Sequence, residues 1–185
     1  MSKWAMTLSV WVATAVWWSA AQAAEDNLHF SGVLVDEPCV LAVEDENVEL
    51  DFTTVIDKDL YLNGRTRGRP INLHLRNCDL EVGKRMVSIT FSSSAESTEL
   101  PGLLMLQSAT VRGLLVGLES TSGDALPLNK THPMKVLASG DNLVSFNAYL
   151  QGEPEALAKR TLGLGAFDAP LTFASSYESP PRTVC

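Results

Sequence analysis

The chain has 185 residues, 14 Lys and Arg against 22 Asp and Glu, a formal net charge of −8 at pH 7 and 45% hydrophobic residues. An acidic balance argues against nucleic acid or an anionic membrane as partner, because neither a phosphate backbone nor a lipid headgroup attracts this charge. The length suits one domain with a real core.

The first 23 residues read as a secretory signal peptide. Lys3 is their only charged side chain, Trp4 to Trp18 form an apolar run, and Ala21-Gln22-Ala23 is a small-x-small site, placing cleavage before Ala24. The run is short for a membrane span and ends in the cleavage pattern rather than in stop-transfer charges. Cleavage leaves 162 residues and takes the formal charge to −9. Residues 24–36 follow as an extended arm, in which Leu28, Phe30, Gly32 and Leu34 occupy every second position ahead of Cys39. That spacing puts all four on one face of a strand. A hydrophobic strand at a free N-terminus has nothing local to bury against, so it pairs within its own domain or inserts into another.

Beyond the arm the pattern is strand after strand, with no sustained period of 3.6. Val48 to Phe52 is strand-like, Ile71, Leu73 and Leu75 alternate before Asn77-Cys78, and Val87, Ile89 and Phe91 alternate after Gly83-Lys84-Arg85. Further runs are Leu103 to Gln107, Leu114 to Glu119, Leu143 to Gln151 and Leu171 to Tyr177. Turn signals at Pro101-Gly102, Ser122-Gly123-Asp124 and Ser139-Gly140-Asp141 separate them. Many short strands with turns between them predict a β-sandwich. A helical turn fits Pro154 to Ala158, with proline near its start. The acids Glu44-Asp45-Glu46 and the trio Arg65, Arg67 and Arg69 read as solvated loops.

Three cysteines sit in a chain bound for a compartment that permits disulfides. Cys39 and Cys78 each close a strand-like run and are the natural pair. Bridging a loop of this length stabilises by about 4 kcal/mol in the chain-entropy account. Cys185 is left as an unpaired thiol in a tail that contains Ser179-Pro180-Pro181.

Catalysis has little to stand on. His29, His74 and His132 are scattered without metal-ligand spacing, Gly163-Leu164-Gly165 lacks the third glycine of a dinucleotide fingerprint, and no Gly-x-Ser-x-Gly elbow exists. Glu153 and Glu155 are ordinary loop carboxylates. The reading is therefore of no enzyme, with no catalytic, cofactor or metal site.

In order along the chain stand Leu28-x-Phe30-x-Gly32-x-Leu34, Glu37-Pro38-Cys39, Leu75-Arg76-Asn77-Cys78, Leu100-Pro101-Gly102, Asn142 to Tyr149, Pro154-Glu155-Ala156-Leu157 and Phe173-x-x-x-Tyr177. This ordered set resembles the pilin subunits of chaperone–usher fimbriae, with the nearest likeness to P-pilus adaptor and tip-fibrillum subunits. The resemblance covers nearly all of the mature chain. It implies an all-β, incomplete immunoglobulin-like sandwich over residues 37–178 that lacks its last strand, with residues 24–36 as a donor strand for a neighbour. It also implies a periplasmic chaperone that fills the groove first, an outer-membrane usher, neighbouring subunits as partners, and export through the periplasm to an extracellular pilus.

Residue by residue, Leu28, Phe30, Gly32 and Leu34 match the inserting arm, and Leu171, Phe173 and Tyr177 match the groove strand that the chaperone reads. Residues 179–185 depart from the family, whose aromatic stands at or near the terminus, and so remove the carboxylate from the strand. The function implied is a minor adaptor or tip-fibrillum subunit that supports adhesion. A pilus terminator or anchor and a tip-binding subunit share the fold, while a free periplasmic β-sandwich enzyme or metal binder would require the histidine cluster this chain lacks.

Overall fold

A computed structural model describes residues 37–80 and 84–179. The expected signal peptide, the expected arm residues Leu28, Phe30, Gly32 and Leu34, and Cys185 lie outside the described residues. The described chain is mostly β and forms two antiparallel sheets. The larger has the order β1 (Val40–Leu41), β2 (Arg69–Cys78), β7 (Gly140–Gly152), β5 (Leu114–Ser120), β4 (Leu104–Met105), and the smaller has the order β6 (Thr131–Val136), β3 (Met86–Ser92), β8 (Thr172–Glu178). Two short helices, α1 (Asp57–Asn63) and α2 (Pro154–Lys159), complete it.

Period-2 alternation decides which side chains meet. In β2, Leu73 and Leu75 are buried while Asn72, His74 and Arg76 are exposed. They join Val116 and Leu118 of β5 and Val144, Phe146, Ala148 and Leu150 of β7 in a core that also takes Val87, Ile89 and Phe91 from β3. The Phe91 and Phe146 rings link the two sheets, with centroids 4.9 Å apart and a 57° tilt, an arrangement that suits the ring quadrupoles. The opposite face of β5 and β7 is not left to solvent. There Leu115 and Tyr149 are buried alongside Leu60 of α1 and Ala156 of α2. Close approach makes this second cluster possible, since a Cβ on Gly117 would run into the Tyr149 ring, and the Arg65 guanidinium lies 3.7 Å from that ring's centroid.

Cys39 and Cys78 form a disulfide, with Cα atoms 4.1 Å apart. Both are buried, and the Asp79 amide donates to the Pro38 carbonyl beside them at 2.7 Å. The bridge fastens the start of the described chain to the end of β2, where β1 contributes only the two pairs Val40↔Arg76 and Leu41↔Leu75.

Several local expectations change. Val48 to Phe52 joins no ladder among the described residues. The alternation there reflects one apolar wall of a groove, not a paired strand. β6 was hidden by Pro133, which sits beside the register shift between Val87 and Ser88 on an edge strand, where a missing N–H is tolerated. α1 buries Leu60 alone and ends on Gly64 at φ +75°, so it carries no 3.6-residue stripe to read. Asp45 is not a solvated loop acid, because it is buried and its Oδ2 accepts the His74 amide at 2.5 Å and faces His74 Nδ1 at 2.9 Å. Arg65 likewise is not a free loop cation: half-exposed, it pairs with the more buried Glu119 of β5 at 2.5 Å.

Candidate functional site

β8 pairs with β3 along its whole length, Met86↔Glu178 through Ser92↔Thr172. It is the edge of its sheet, and no other strand bonds to it among the described residues. Alternate backbone amides and carbonyls of such a strand point away from the ladder and remain available to another chain. Phe173, Ser175 and Tyr177 face inward and are half-buried, while Thr172, Ala174, Ser176 and Glu178 face out. Their partners on β3 sit much deeper. Val87, Ile89 and Phe91 are each 1% exposed, so core cover thins from β3 to β8.

The thinning opens into a groove of about 870 Å³. Its floor is the core itself, including Leu73, Leu118 and Phe146. One wall is β8 with the residues leading into it, from Phe167 to Ser175. The other is the unladdered segment containing Val48, Leu50 and Phe52. Phe52 and Phe167 come together at one end, with ring centroids 6.4 Å apart. An apolar floor beside the outward backbone groups of the edge strand β8 suits an extended peptide with alternating apolar side chains.

Charge on the groove is one-sided. Glu37, Glu46, Glu49 and Asp168 are among its lining residues, which among the described residues contain no Lys, Arg or His. At the far end of β8, burial pushes the Tyr177 phenol above its ordinary range; a Ser175 hydrogen bond opposes this and the Glu37 charge adds to it. The phenol therefore stays protonated at neutral pH.

The structure brings Leu171 and Phe173 onto the groove. Tyr177 shares their strand face and packs against the core. Sequence reasoning missed the second wall. Its signal was present in Val48, Leu50 and Phe52, an alternating run with no hairpin turn to supply a partner. Among the described residues no group of three or more His, Cys, Asp and Glu could hold a metal ion.

Residues 28–178 match the family described as Fimbrial protein. The chain belongs to that family. It is a subunit of chaperone–usher pili, an extracellular structural protein and not an enzyme. Among its relatives, it is 35% identical over 158 residues to the "Uncharacterized fimbrial-like protein YfcP" of Escherichia coli strain K12, covering 84% of this chain and 85% of the relative. It is 31% identical over 166 residues to the "Fimbrial adapter PapK" of Escherichia coli, covering 86% and 92%. The fold of this fimbrial subunit is that of the P pilus rod subunit PapA, with a TM-score of 0.66 at 19% identity over 77% of this chain and all of that one.

Proposed function

We propose that this fimbrial protein is a minor subunit of adaptor or tip-fibrillum type, polymerising by donor-strand exchange. The observation that carries the reading is the groove beside the free edge of β8. On this reading residues 37–178 form an immunoglobulin-like sandwich lacking its last strand, and residues 24–36 form the arm given to the next subunit. Leu28, Phe30 and Leu34 then fill a neighbour's groove, and Gly32 passes where a groove residue leaves no room for a side chain. Leu171, Phe173 and Tyr177 receive first the periplasmic chaperone and then, at the outer-membrane usher, an incoming arm. Main-chain hydrogen bonds supply affinity without regard to sequence, and the alternate side chains choose the pocket. The adaptor assignment is supported by the similarity to PapK over most of both chains.

Co-expression in the periplasm tests the reading. With its cognate chaperone the mature subunit should be recovered as a soluble one-to-one complex, and without it the yield should fall at least about tenfold, because an open apolar groove favours aggregation. A stable free monomer indifferent to the chaperone would contradict the missing strand. A chaperone complex that never accepts an arm peptide would instead make this subunit a terminator.

A further inference from the structure

We infer that the groove selects its occupant by charge, taking the N-terminal arm of a different subunit that carries Lys or Arg around its apolar residues and disfavouring the arm of a second copy of this chain. The inference rests on the donor-strand reading and specifies the partner within it.

The acids bracket the groove. Asp168 precedes the start of β8, beside the Phe52 and Phe167 end. Glu37 stands near the other end of β8, close enough for its charge to act on Tyr177. Glu46 and Glu49 lie on the opposite wall. All four are exposed, and none has an ion pair among the described residues. This chain's own arm, residues 24–36, carries Glu25, Asp26 and Asp36 and no Lys or Arg. Even with the α-amino group that cleavage before Ala24 exposes, it remains net negative.

Insertion of a second copy's arm would set these acids against the acids of the groove. Like charges brought together this way slow encounter and penalise the docked state, and opposite charges do the reverse. The apolar alternation of Leu28, Phe30 and Leu34 fits a groove of this kind in general; the charges around it decide whose. A subunit whose own arm is repelled by its own groove does not extend into a homopolymer.

The test uses the mature subunit in complex with its chaperone and two donor peptides. One has the sequence of residues 24–36, and the other carries Glu25→Lys, Asp26→Lys and Asp36→Lys; chaperone displacement is followed by native mass spectrometry. In about 20 mM salt the lysine peptide should exchange about tenfold faster, and in about 500 mM salt the gap should shrink severalfold as screening sets in. The surface substitutions Glu46→Gln and Glu49→Gln in the subunit should narrow the low-salt gap. Equal rates in low salt would overturn the charge selection while leaving the groove assignment standing. A gap unchanged by Glu46→Gln and Glu49→Gln would overturn it too, by placing the preference on the chaperone. Failure of both peptides to enter would make this subunit a terminator, removing the adaptor reading and the inference with it.

Discussion

Changing Leu28 and Phe30 together to aspartate should abolish entry of this subunit into pili while sparing its capture by the chaperone. On the proposed reading each of these side chains is buried in a neighbour's groove, contributing about 1.5–3 kcal/mol before ordering costs. Aspartate loses that contribution and adds the cost of placing a charge against an apolar floor. Incorporation, read as the fraction of purified pili carrying the subunit, should fall more than about a hundredfold, since each 1.4 kcal/mol is tenfold. On the same reading the chaperone contacts the groove and not the arm, so the one-to-one complex should form at an unchanged yield. Normal incorporation would remove the arm assignment. Loss of both pili and chaperone complex would mean that the arm serves the subunit's own fold.

The second large effect lies in the covalent link between Cys39 and Cys78. Replacing both by serine reopens a loop spanning a sequence separation of 39 residues, worth about 4 kcal/mol in the chain-entropy account. The native side is also affected, because both positions are buried and a serine hydroxyl there needs a partner. β1 and β2 share two residue pairs, too few to hold the start of the domain alone. The doubly substituted subunit in its chaperone complex should show a clearly lower urea midpoint and a severalfold lower periplasmic yield. An unchanged midpoint would show that the β1 and β2 contacts suffice without the bridge.

The long strands were legible because each has one face on the core. In β2, β3 and β7 the residues at Leu73, Ile89 and Phe146 alternate with polar neighbours, and that contrast is the period itself. Pro154 announced the start of α2 in the same local way. What stayed hidden depends on partners distant in sequence. Asp45 is buried because it meets the His74 amide across 29 residues, and Arg65 is held by Glu119 across 54. β6 looked broken at Pro133 because only its place at a sheet edge makes proline harmless there. The groove divided along the same line. On its β8 side the alternation marked Leu171 and Phe173, which line it, and Tyr177, which packs against the core instead, whereas Val48 to Phe52 looked like any strand and became a wall only through what stands across from it.

The most direct measurement replaces Phe173 by a photo-crosslinking phenylalanine and irradiates assembled pili, with the adduct mapped by mass spectrometry. The account predicts a crosslink from the groove to the N-terminal arm of a neighbouring subunit, and to the chaperone when the periplasmic complex is irradiated instead. A crosslink confined to this chain's own residues, in pili that contain the subunit, would contradict the claim that its groove receives a donor strand from a neighbour.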